Sequence, residues 1–170
     1  MTLDLIQRPD APIWLQSFEP MGSSAATATL AANQIYLARI RLPRAIVVTT
    51  ASWFNGATAS NNFDPVIYRS DGTTLTRLIS SGGTAISGTN ARQDVTVTTT
   101  VVPAGDIFVG GAVDSATPML LRATLGFSGS SGAGGVANRF VTVATSYPAP
   151  ATILVSNLVA GNTMPWVQFR

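Results

Sequence analysis

Seven aspartates, a single glutamate and ten arginines supply almost all the ionisable chemistry of this 170-residue chain, which contains no histidine, cysteine or lysine. Without histidine or cysteine, no Ser-His-Asp or Cys-His triad can form. Without lysine, neither a Ser–Lys dyad nor a phosphate-binding P-loop is available. Zinc and haem lose their preferred ligands for the same reason. The one acid–base arrangement left is a carboxylate pair of the glycosidase kind, drawn from Asp4, Asp10, Asp64, Asp71, Asp94, Asp106 and Asp114. Most of these sit beside turns, where an aspartate caps backbone N–H groups, so the chain reads as a protein that is not an enzyme. No D-x-D-x-D-G calcium loop is present, and no metal or cofactor is expected. Residues 132–137, GAGGVA, fit the loose dinucleotide-binding pattern, but no strand–turn–helix context surrounds them.

Binding chemistry is better represented. Trp53 precedes the polar loop NGATASNN, so Trp53, Asn55, Asn61 and Asn62 form a candidate glycan contact; the competing reading makes Trp53 a core anchor at a strand end. Arg39, Arg41 and Arg44 make the one basic cluster, and the first two share a strand face. Such a cluster serves a polyanion, marks a solvated strand, or pairs with aspartates between subunits. Trp14 and Phe18 lie on a proline-containing N-terminal stretch, and Trp166 and Phe169 close the chain. With Arg39 and Arg41 they are the candidate assembly contacts.

The elements that must position these residues are strands. Residues 34–42, QIYLARIRL, place Tyr36, Ala38, Ile40 and Leu42 on one face and Ile35, Leu37, Arg39 and Arg41 on the other. Residues 45–54 form the next strand. Residues 65–70 and 74–80 flank Asp71-Gly72, a strong hairpin signal, and residues 94–102 alternate cleanly before the turn Pro103-Ala104-Gly105-Asp106. Further strands fall at 107–113, 119–127, 139–145, 153–155 and 166–169, giving nine or ten in all. Residues 23–34, rich in alanine, are the one segment with helical character. Gly/Ser-rich stretches at 80–88 and 128–135 read as loops. This pattern predicts an all-β antiparallel sandwich, with an extended N-terminal arm over 1–22, the sandwich over 23–147 and a C-terminal segment over 148–170 that packs on the sandwich or on a neighbour.

Charged residues are only 11% of the chain, against roughly 25% in ordinary soluble domains. A surface so poor in charge is suited to being covered by neighbours. The net charge of +2, carried by scattered arginines, is not a nucleic-acid footprint. No apolar run reaches the roughly 18 residues of a membrane span, and the N-terminus lacks the order of a signal peptide.

The run LARIRLPRAIVVTTASWF, followed by PVIYRSDGTTLTRL and TTTVVPAGDIFVGGAV, resembles β-sandwich domains in virion proteins of tailed bacteriophages. The likeness covers residues 38–113. It implies a structural or adsorption role on a virion. Joined to the strand pattern, which reads as a sandwich of jelly-roll type, and to the low charge, it leads to the expectation of a head decoration or minor capsid protein that assembles as a homo-oligomer (a trimer) on a major capsid protein. The alternative it implies is a tail-associated module that binds host surface glycan. The implied location is the virion surface, after synthesis in the host cytoplasm, with neither nucleic acid nor membrane as a partner.

Overall fold

A computed structural model of the protein describes residues 15–16, 27–57, 61–123, 140–144, 147–161 and 163–170. Its strands are β1 (Leu15–Gln16), β2 (Thr27–Leu30), β3 (Gln34–Leu42), β4 (Ile46–Phe54), β5 (Asn62–Ser70), β6 (Thr74–Ser80), β7 (Thr84–Ala85) and β8 (Arg92–Val102). They continue as β9 (Gly105–Val113), β10 (Thr117–Ala123), β11 (Phe140–Ala144), β12 (Thr152–Leu154), β13 (Val159–Ala160), β14 (Thr163–Pro165) and β15 (Val167–Phe169). A single 3-10 turn, Val155–Asn157, separates β12 from β13. All pairings are antiparallel, and the described residues hold no α-helix.

The larger sheet runs β12-β6-β5-β9-β3-β11-β13, with β7 also on β5; a smaller one runs β1-β15-β4-β8, and a short third sheet is β14-β10-β2. The alternation in β3 explains why the larger sheet is buried on both faces. Tyr36, Ala38 and Leu42 join Val48, Trp53, Ile67, Val109, Val167 and Phe169 in the core between the two main sheets. Ile35 and Leu37 point the other way, into a second cluster with Val66, Tyr68, Leu75, Phe108 and Ile153.

That second cluster exists because the larger sheet curls. β12 and β13 occupy its opposite edges, yet only residues 155–158 separate them. Five peptide steps reach at most about 18 Å, whereas seven flat strands would measure about 29 Å across. The sheet therefore bends into a half-barrel, and the Val155–Asn157 turn closes its seam. Along the inner row of β3 the residues read Ile35, Leu37, Arg39, Arg41, apolar at the closed end and cationic at the open one.

One expectation changes. The segment at 23–34 is not helical where it is described: Thr27–Leu30 is a strand paired with β10, and Asn33 turns the chain with φ 53°. Alanine's helix propensity is overridden by this pairing, to which β-branched Thr27 and Thr29 are suited. The C-terminal segment packs on the chain's own sandwich, because Val167–Phe169 pairs with β4. Of the expected N-terminal arm, Leu15–Gln16 adds an edge to β15, and the rest lies outside the described residues. The turn at 103–104 carries the chain from β8 in the smaller sheet to β9 in the larger.

Candidate functional site

The hairpin at Asp71-Gly72 brings the first element to the open end of the half-barrel. Gly72 sits at φ 96°, a conformation that L side chains resist, and Asp71 Oδ1 accepts the Thr73 and Thr74 N–H groups at 2.8 and 2.7 Å. Those two bonds hold the Asp71 carboxyl below the usual carboxylate range. The β3–β9 register then sets Arg41 opposite Asp106 and Arg39 opposite Phe108. Arg39 Nη2 donates to Asp106 Oδ2 at 2.6 Å, and Arg41 Nη1 lies 3.8 Å from Asp106 Oδ1. The Arg39 hydrogen bond, aided by both guanidinium charges, lowers the Asp106 pKa.

These groups rim a cleft of about 670 Å³, within the size range of ligand sites. Ser70 and Asp71 complete the rim, and Phe108, Val141, Val155 and Leu158 supply apolar lining. Val155 and Leu158 come from the seam, so the cleft depends on the half-barrel being closed.

The seam is tied by Asp64, which is fully buried in β5. Ser80 Oγ donates to its two oxygens at 2.8 and 2.9 Å, the Ser81 N–H donates at 2.9 Å and the Ala149 N–H at 3.2 Å. Arg77 donates to the Ala149 carbonyl, and the Tyr68 hydroxyl donates to the Pro150 carbonyl at 2.7 Å. The Tyr147 hydroxyl is buried without a hydrogen-bond partner among the described residues. Burial, followed by the negative charge of Asp64 and Asp114, pushes its pKa up to about 12.

The candidate glycan contact is not a surface in this fold. Trp53 is fully buried and its ring packs against Phe63 at 5.3 Å. Its Nε1–H donates to Asn55 Oδ1 at 2.8 Å, while Asn55 Nδ2 donates to the Ser87 and Gly88 carbonyls at 2.5 and 3.1 Å. A ring with no accessible face offers no stacking platform; Trp53 is a core anchor whose polar edge fixes the loop before β8. Asn61 Nδ2 donates to the Ala116 carbonyl at 3.4 Å. Asn62 donates through N and Nδ2 to the two oxygens of Asp114, at 3.0 and 2.6 Å. Among the described residues, neither asparagine stands beside an exposed tryptophan.

Of the candidate assembly contacts, Trp14 and Phe18 lie outside the described residues. Trp166 and Phe169 are buried in the chain's own core, Trp166 against Phe54 at 5.0 Å, so their rings do not face a neighbour. Arg39 and Arg41 are brought together at the cleft, whereas Arg44 follows β3 in the connection to β4. The sequence marks Asp106 only as part of the Pro103–Asp106 turn and Asp64 only as one of the seven aspartates. The β3–β9 register is what reveals Asp106 as the partner of Arg39. The chain matches no protein-family model and no curated protein.

Proposed function

We propose that the chain is a structural protein of a phage-like particle, a self-associating β-sandwich that works through surface contacts. The observation that carries this reading is the state of the five described aspartates, each of which fastens backbone to backbone or strand to strand. Asp64 ties β5 to the seam, Asp71 shapes its hairpin, and Asp106 bridges β9 to β3. Asp94 accepts from Arg92 at 2.8 Å and from Arg170 at 3.0 Å, joining β8 to the C-terminus, and Asp114 clasps Asn62. Carboxylates placed this way stiffen a scaffold.

A second feature supports self-association. β8 ends the smaller sheet, and among the described residues its outer edge pairs with nothing. Residues 95–102 of this edge carry neither charge nor proline, the devices that usually keep strand edges apart. Val101 and its register partner Val47 are 62% and 58% exposed. The occupant we assign to this edge is a second copy of the chain, as the low overall charge also favours, and the virion resemblance of residues 38–113 supplies the setting.

Light scattering tests the reading. The protein is expected to run as an oligomer, and Val101→Lys to lower its mass to that of a monomer without shifting the urea midpoint, since this side chain is mostly solvent-exposed. A wild-type monomer at high concentration would sink the self-assembly reading.

A further inference from the structure

We propose that the cleft at the open end of the half-barrel binds an acidic sugar, a saccharide unit carrying a carboxylate beside free hydroxyls. The proposal does not rest on the assembly reading and uses a different face of the molecule.

Arg41 is the group that asks for an anion. Its side chain is 84% exposed, and among the described residues its one ion-pair contact is the 3.8 Å approach to Asp106, beyond hydrogen-bond distance. A guanidinium carries five N–H donors in a planar fork that matches a carboxylate. Arg39, already bonded to Asp106 at 2.6 Å, holds that carboxylate against its own guanidinium and leaves Arg41 as the weakly engaged cation.

The charge count decides what kind of anion. Arg39 and Arg41 are balanced by Asp71 and Asp106 on the same rim, so the cleft has no surplus positive charge for a phosphate chain or another polyanion. A single carboxylate meeting Arg41 leaves the remaining rim to acceptors. Asp106, Asp71 and Ser70 present carboxylate and hydroxyl oxygens, which match hydroxyl donors on a ligand. An acidic peptide brings more carboxylates to these same aspartates and is repelled. The lining of Phe108, Val141, Val155 and Leu158 suits the C–H face of a pyranose ring, and the volume of about 670 Å³ takes more than one ring.

The test is a titration followed by amide NMR, with galacturonate, which carries one carboxylate, its methyl ester and a triglutamate peptide as probes. Galacturonate is expected to shift the amides of Arg39, Arg41, Asp106 and Gly72. Esterification, which removes the charge and keeps the ring hydroxyls, is expected to weaken binding about tenfold or more, as loss of a charge-assisted hydrogen bond does. Arg41→Gln is expected to produce the same loss with an unchanged urea midpoint, because this exposed side chain contributes little to the fold. Equal binding of the ester, equal binding by Arg41→Gln, tighter binding of triglutamate, or no shift with any probe at about 10 mM would each overturn the assignment.

Discussion

Asp64→Asn tests whether the half-barrel is held shut by one buried side chain. The two carboxyl oxygens of Asp64 divide their work, Oδ1 accepting the Ser81 N–H at 2.9 Å and Oδ2 the Ala149 N–H at 3.2 Å. An asparagine keeps one oxygen and turns an NH2 toward the other amide, so one buried backbone donor loses its acceptor. That loss costs about 1–3 kcal/mol, and Asp64→Ala, which strands both amides, costs about 2–6 kcal/mol. Either figure is a large part of the 5–15 kcal/mol typical of a domain. The loss has an address as well as a size. Ala149 leads into the seam, whose backbone bonds include Arg77 N–H to Ala151 O at 2.9 Å and Val155 N–H to Thr73 O at 2.8 Å. Native-state hydrogen exchange on Asp64→Asn should therefore show faster exchange at Ala149, Arg77 and Val155, by about 5- to 150-fold for 1–3 kcal/mol. Amides of the β4–β8 ladder should change less. A destabilisation below about 0.5 kcal/mol by urea unfolding would refute the reasoning, as would an equal loss of protection in both sheets.

Three further outcomes follow from the same geometry. Trp53→Ala should destabilise by about 3–5 kcal/mol, the range for emptying a buried aromatic site, and Trp53→Phe by about 1–3 kcal/mol because Asn55 Oδ1 loses its donor; urea unfolding measures both, and a near-neutral Trp53→Ala would contradict the core assignment. Gly110→Ala should yield no folded protein, since the added Cβ would lie 1.8 Å from the Tyr36 backbone oxygen, whereas Gly72→Ala meets no atom within 4 Å and should cost only the left-handed backbone penalty of about 1–2 kcal/mol; circular dichroism and thermal melts separate the two. In acid, Asp71, Asp94 and Asp106 all have folded pKa values below the ordinary one, so their stabilisation is complete above about pH 4 and is lost as pH falls through the folded values. Tyr147 has the opposite sign: its raised value stabilises fully below about pH 10, and that contribution fades as pH rises toward 12. Urea midpoints across pH should show both limbs, with Asp106→Asn flattening the first and Tyr147→Phe the second.

The strands and the Asp71-Gly72 hairpin were legible because both are local. Alternation over Gln34–Leu42 needs only nine residues, and the hairpin needs only the Asx turn that Asp71 makes with Thr73 and Thr74. The cleft was legible in half. The pairing of Arg39 and Arg41 on one strand face is written in their spacing, but their carboxylate lies 67 residues away from Arg39 in the chain. It is delivered by a register that no local pattern specifies. The curl of the larger sheet was hidden for a related reason, since it follows from β12 and β13 joining opposite edges through four residues, a property of strand order rather than of any strand.

Trp53 shows how a local pattern misleads across a register shift. Strict alternation along β4 puts Val47, Thr49, Ala51 and Trp53 on one face, and Val47 is 58% exposed. On that count Trp53 belongs outside, beside its asparagine-rich loop, where a sugar platform would stand. The β4–β8 register shifts between Val48 and Thr50, and across this irregularity the row of β4 that enters the core changes. Val48 is therefore buried before the slip, and Ala51 and Trp53 after it. Val47 on β4 and Val101 on the edge strand β8 are outward before the shift, and the tryptophan beyond it enters the core. The exposed valine pair and the anchor of the sandwich thus lie on either side of a single irregularity in one strand pair, whereas the basic cluster stands on β3, whose register with β9 is unbroken.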